Sequence, residues 1–216
     1  MPEQPRRLIL WRHGRTAWNT EHRFQGQTDV PLDAMGLRQA RAAAGLLVAL
    51  RPQVIVSSDL IRARDTAGVL ADACGLVVDT DPRLREIDGG AWEGRLRDEL
   101  IASDPDAFRA WRAGETMRPG GNGELRSEVA ARMMDAVSDA VRRTDAGRTV
   151  VVVTHGGAAR AVMAPLLGRP FEQIRFFGVM YNAAWSVLSE GSTADTPWHV
   201  LEFNTRPLPE VSETGD

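Results

Sequence analysis

The sequence predicts an α/β fold: a three-layer α/β/α sandwich with a mostly parallel central sheet and a small helical cap insertion. Two observations lead there. Short apolar runs alternate along the chain with alanine- and leucine-rich stretches at helical spacing, and strands alternating with helices imply a parallel sheet covered on both faces. One of those runs is four consecutive valines at 150–153, the pattern of a strand buried on both sides.

Taken in order, residues 7–12 form a first short strand that stops at Gly14, and 35–50 read as a helix. A second strand at 54–56 ends at Ser57 and Ser58. Either Ser58 or Asp59 is placed to cap the following helix, which runs as far as Ala73, because short side-chain acceptors satisfy the first free N–H groups. Residues 76–78 read as a third strand. The chain then changes character: 95–123 carry polar helical patches, Pro105, Pro119 and the glycines 120, 121 and 123, where a lid or cap insertion is expected. A helix at 124–143 leads into a strand at 149–154. Gly156 and Gly157 open another helix that ends near Pro170, and two later strands fall at 184–189 and 199–203. Residues 205–216 read as a mobile tail. At about 150 residues per domain, residues 1–216 fit one domain.

Composition removes whole chemistries. With 43% hydrophobic and 25% charged residues the chain is globular, and a net charge of -3 argues against a phosphate-tracking surface for nucleic acid. The single cysteine, Cys74, excludes an intramolecular disulfide and a cysteine-rich zinc site, and reads as a buried small apolar residue. All 26 basic residues are arginine, which excludes a lysine-dependent phosphate loop and Schiff-base catalysis. The longest near-apolar stretch, 42–50, is far shorter than the roughly 18 residues of a membrane span, and no leader pattern opens the chain. A cytoplasmic protein without membrane or nucleic-acid partners is expected.

Ligands of open α/β sheets lie beyond the carboxyl ends of the strands, and two of the four histidines fall there. His13 follows the first strand in LILWRHGRTAWN and His155 follows the valine strand in VVVVTHGGAARAV, each succeeded by glycine. Arg12 directly precedes His13, and Arg62 lies just past the second strand in SSDLIRARDTA. Guanidinium groups pair with phosphate oxygens, and the free N–H groups of a helix opening at Gly156 attract an anion, so the site expects a phosphate. Arginine charge also opposes protonation of an imidazole, leaving His13 neutral with a lone pair for attack. A leaving alkoxide needs a proton. Glu86 in RLREIDGGAWEG is the candidate donor, since a phosphate dianion opposes ionisation of a nearby carboxyl, and Asp88 is the weaker competitor. Trp18 and Trp92 are placed either to wall the organic part of a substrate or simply to pack, while His22 and His199 read as surface or structural residues.

The segments LILWRHGRTAWN, RFQGQTDVPL, SSDLIRARDTA, LREIDGGAWEG and VTHGGAARAV resemble, in this order, the signature segments of the histidine phosphatase superfamily in its phosphoglycerate-mutase-like branch, over about residues 7–190. The resemblance implies a phosphohistidine intermediate on His13. It places Arg12, Arg62 and His155 around the transferring phosphoryl group, with Asn19 donating to its oxygens, Glu86 as proton donor, and Gln25 and Gly26 lining the pocket. It implies no metal or other cofactor, and a homodimer.

The same apparatus either returns the phosphoryl group to a sugar acid or passes it to water. The stretch from Glu86 to His155 is shorter than in the mutases of the family, which looks like the loss of part of a closing element. A phosphatase is therefore expected, with a small-molecule phosphoester as substrate and inorganic phosphate as product. SSDLIRARDTA, GLVVDTDPRLRE, VAAR at 129–132 and NAAWSVLS are similar to an actinobacterial group within the family, whose implied substrate is glucosyl-3-phosphoglycerate or a similar phosphorylated sugar acid. Two features depart from the family pattern: GGNGEL replaces a GGES-like turn, and Trp11 replaces a small aliphatic residue. The alternatives are a cofactor-dependent phosphoglycerate mutase, a phosphatase for another small ester such as a cobalamin precursor, and an inactive relative that only binds phosphorylated ligands.

Overall fold

The computed structural model describes residues 4–193 and 195–207. They run in the order β1 (Arg7–Arg12), the single-turn α1 (Ala17–Thr20), α2 (Ala34–Leu47), β2 (Pro52–Ser57), α3 (Ile61–Cys74), β3 (Val78–Thr80), α4 (Arg97–Ser103), α5 (Pro105–Ala113), α6 (Arg126–Arg142), β4 (Thr149–Thr154), α7 (Gly156–Leu166), β5 (Trp185–Thr193) and β6 (Thr196–Thr205). The sheet order is β3-β2-β4-β1-β5-β6. The first four strands are parallel and β5 and β6 run antiparallel, giving the mostly parallel sheet the sequence predicts.

Strand periodicity divides the core in two. Leu8, Leu10, Val56, Val150 and Val152 face Met133, Val137 and Val162 of α6 and α7. Their neighbours Ile9, Trp11, Ile55, Val151 and Val153 point the other way, onto Ala40, Ala44, Leu47, Ala67 and Leu70 of α2 and α3. Every residue of β4 is buried, and each fully buried valine contributes about 1.5–3 kcal/mol, so this central strand anchors both layers. Trp11 is tolerated inside because its indole N–H donates to the Ala183 carbonyl at 3.0 Å, which satisfies its one polar atom.

Several boundaries differ from the sequence reading for local reasons. Helix α3 is not capped by Ser58 or Asp59. Leu60 holds the cap position, and the Asp29 carboxylate reaches over from a distant loop to accept the Ile61 N–H at 2.7 Å. Strand β3 starts at Val78 because Leu76 still belongs to the helix end: Gly75 is left-handed at φ 66° and the Leu76 N–H donates to Ala71. Helix α6 starts at Arg126, where the Glu128 carboxylate accepts the Leu125 N–H at 2.8 Å. Helix α7 ends at Leu166, ahead of a left-handed Gly168 at φ 66°. The antiparallel strands are longer than expected, and β6 takes in Thr205. Residues 208–216 of the expected tail lie outside the described residues. Cys74 is half-buried at the edge of the α2/α3 core, less enclosed than expected.

Candidate active site

The site follows from strand register. Arg12 of β1 pairs with Thr154 of β4, so the next residues, His13 and His155, leave the sheet side by side. The His13 N–H donates to the Thr154 carbonyl at 3.0 Å, and the ring centroids are 5.1 Å apart. Strand β2 ends at the same level, where the Ser58 N–H donates to the Val153 carbonyl at 2.9 Å. Glycine after each histidine is a packing requirement. A Cβ on Gly14 would lie 2.3 Å from the Gly36 carbonyl oxygen, and one on Gly156 would meet Val179 at 2.9 Å and the Arg12 guanidinium at 3.2 Å.

His13 is buried, and its Nδ1 lies 2.7 Å from the Gly14 carbonyl oxygen. A carbonyl can only accept, so Nδ1 carries the proton and Nε2 keeps the lone pair. Burial first, then the charges of Arg62 and Arg12, hold its pKa well below the ordinary imidazole value, outweighing the Gly14 hydrogen bond. His155 is neutral for the same reasons: burial, then Arg62, His13, Arg12 and Arg132. Its Nδ1 accepts from Arg62 Nε at 3.2 Å, which leaves Nε2–H to donate to Ser58 Oγ at 2.9 Å.

The arginines are held rigidly. Arg62 is fully buried, with Nη1 donating to the Thr28 carbonyl and Nη2 to the Gly26 carbonyl, both at 2.7 Å, and burial pushes its pKa down to about 10. Arg12 donates through Nη1 to the Met180 carbonyl, while its Nε is buried and has no acceptor among the described residues. An unpaired buried guanidinium N–H is costly, so Arg12 is held here by its surroundings and not by a partner for this atom.

Glu86 comes to the same place from the loop after β3, and the geometry revises the expectation for α7. The first N–H groups of that helix do not all await an anion. Gly157 donates to Glu86 Oε2 at 2.9 Å and Ala158 to Oε1 at 2.8 Å. Gly157 makes room for this, since a Cβ there would stand 2.6 Å from Glu86 Oε1. From behind, Arg132 donates to the carbonyls of Arg83, Arg85 and Glu86 at 2.7–2.9 Å and pairs with Glu124 at 2.8 Å. Asp88 is occupied elsewhere, accepting the Gly90 N–H at 2.7 Å.

Asn19 Oδ1 accepts from the Thr16 N–H and from Asn182 Nδ2, each at 3.1 Å, which leaves its own amide N–H groups as the donating end. Gln25 Oε1 lies 3.0 Å from Thr16 Oγ, and Gly26 takes part through its carbonyl on Arg62. Trp92 packs against Phe24, Phe108 and Trp111, so it is a core residue, and Trp18 lines an adjacent groove with Asn19, Arg97 and Trp111. His22 and His199 are exposed. Sequence reasoning missed Ser58 and Arg132 as supports of the site. Ser58 carried a signal, since it ends a strand beside the two histidines, but Arg132 carried none. Among the described residues no cluster of three or more His, Cys, Asp or Glu side chains is placed to hold a metal ion.

Two buried neutral imidazoles flanked by arginine stand at the carboxyl ends of parallel strands, an arrangement suited to holding a phosphoryl group. Residues 8–205 match the histidine phosphatase superfamily (branch 1), and the chain belongs to that family. It is 44% identical to a glucosyl-3-phosphoglycerate phosphatase of Mycolicibacterium vanbaalenii over 92% of this chain and 94% of that one. It is 39% identical to a probable phosphoglycerate mutase, GpmB, of Yersinia pestis over 76% and 75%. The structure of a mycobacterial glucosyl-3-phosphoglycerate phosphatase in complex with VO3 superposes with a TM-score of 0.84 at 41% identity, covering 93% of this chain and 99% of that one.

Proposed function

We propose that this protein is a phosphomonoesterase that works through a phosphohistidine on His13, with Glu86 as general acid and then base. The observation that carries the reading is the state of His13: neutral, its Nδ1–H fixed on the Gly14 carbonyl, with the Nε2 lone pair left to attack. In the first step Nε2 bonds to phosphorus and the ester P–O bond breaks. Arg12, the Asn19 amide and the Gly156 N–H donate to the phosphoryl oxygens, Arg62 keeps the surroundings positive, and neutral His155 holds the Arg62 guanidinium in place through its Nδ1. The substrate dianion beside Glu86 supplies the pull that puts a proton on its carboxyl, and that proton goes to the leaving oxygen. Water then attacks phosphorus and gives its proton to Glu86. The P–N bond breaks, and inorganic phosphate leaves with His13 neutral again.

The named phosphatase relatives at 44% identity support a phosphorylated sugar acid, glucosyl-3-phosphoglycerate or a similar ester, as the substrate. Residues 95–123, containing α4 and α5, are the proposed lid over its organic part. The test is phosphate release from a panel of phosphorylated metabolites, with sugar-acid phosphates expected at the top. The relatives named as probable mutases favour one rival, mutase action. Dependence of turnover on catalytic bisphosphoglycerate would favour that rival, and phosphate release without it the phosphatase.

A further inference from the structure

Helices α6 and α7, which pack against each other, carry two arginines that the mechanism does not use. Arg126, the first residue of α6, stacks its guanidinium 3.5 Å over the Trp111 ring and donates through Nη2 to the Trp111 carbonyl at 2.7 Å, while its Nη1 is shut from solvent and has no acceptor among the described residues. Arg160 sits three and four positions after Gly157 and Gly156, on the face of α7 that carries the pocket, and donates through Nε to the Phe177 carbonyl at 2.7 Å. Among the described residues neither forms an ion pair with a carboxylate, whereas Arg83, Arg85, Arg118 and Arg132 all do.

We propose that Arg126 and Arg160 form a second anion subsite, which receives the carboxylate of the substrate while its phosphoryl group faces His13. The inference rests on the phosphorylated sugar acid proposed above, and it names the residues that select it. Helices α6 and α7, which carry the two arginines, pack together, and Trp111 beneath Arg126 lines a groove with Asn19; burial first, then the charge of Arg160, pushes Arg126 down to about 10, with the carboxylate of Glu86 opposing the shift. Half-buried guanidinium groups that, among the described residues, donate only to carbonyls are relieved by an anion, and a carboxylate matches the fork of a guanidinium. A staple holding Trp111 would account for two of Arg126's contacts, but not for its unbonded Nη1 or for a second arginine without a carboxylate.

The experiment separates this subsite from the chemistry by using His13→Ala protein, in which turnover is removed, and titrating 3-phosphoglycerate and glycerol 3-phosphate calorimetrically. The two ligands differ by the carboxylate. The expected result is at least tenfold tighter binding of 3-phosphoglycerate, with the preference falling to within about twofold when Arg160→Met or Arg126→Met is added. Loss of structure would weaken both ligands together, so the ratio reports the subsite. No preference in the parent, no binding of either ligand, or a preference that survives both substitutions overturns the inference. The phosphatase reading fails on a different result, no phosphate release by the unsubstituted protein from any ester.

Discussion

His13 and His155 lie with ring centroids 5.1 Å apart, and each is held in one neutral tautomer by a different partner, the Gly14 carbonyl for His13 and Arg62 Nε for His155. Both nitrogens of His155 are thereby occupied, while Nε2 of His13 has no hydrogen bond among the described residues. Two imidazoles in matching strand-end positions are thus unequal, and only the first has a nitrogen available to phosphorus.

Their burial makes stability depend on pH. Both folded-state pKa values are depressed, so below about 6.5 the unfolded chain binds protons that the folded chain refuses. Stability is therefore full above that pH and falls below it, by up to about 1.4 kcal/mol per pH unit for each histidine. Urea melts at pH 7.5, 6 and 5 should show the midpoint declining, and a midpoint constant over that range would contradict the burial argument. The same depression keeps the nucleophile unprotonated, so kcat/KM is expected to show no loss centred near pH 6.5.

Substituting Glu86→Gln keeps an acceptor for only one of the Gly157 and Ala158 N–H groups, which bond to different carboxylate oxygens, and removes the transferable proton. Alkyl phosphates, whose leaving groups need that proton, should lose about 10²–10⁴-fold in kcat/KM, the usual range for a general acid. p-Nitrophenyl phosphate should lose far less. Equal losses on both esters would remove Glu86 from the role.

Gly157→Ala probes the same residue from the helix side. A Cβ 2.6 Å from Glu86 Oε1 forces the carboxylate away from the α7 N-terminus. Its steric cost of about 1–3 kcal/mol is partly offset by the helix propensity of alanine, worth about 1 kcal/mol, so activity should suffer more than stability. A drop of tenfold or more in turnover of an alkyl phosphate, with a thermal midpoint shifted by only a few degrees, is expected. Turnover within twofold of the parent would show that the position of Glu86 is not held this way.

Features written in consecutive residues were readable from the sequence. The bounds of β1 and β4 agree with those read from the apolar runs, because strands buried on both faces need unbroken Leu, Ile and Val, and the histidines at their ends follow directly. What depended on distant partners was not readable. The cap of α3 is Asp29, a residue 32 positions away, and no local pattern announces it. Arg132 supports the Glu86 loop across 46 positions, and in a chain whose basic residues are all arginine nothing sets it apart from its neighbours. The opening of α7 reads in the sequence as a place for a phosphate, yet its Gly157 and Ala158 N–H groups donate to Glu86, because Gly157 lacks the Cβ that would stand 2.6 Å from that carboxylate.

The central claim is that phosphorus becomes bonded to Nε2 of His13. Rapid mixing with a ³²P-labelled phosphomonoester, a quench in alkali where phosphohistidine survives, and peptide mapping test it directly. Label on the peptide that contains His13, absent from His13→Ala protein, is the predicted result. Label confined to another peptide, or steady phosphate release with no labelled protein at any mixing time, would contradict it.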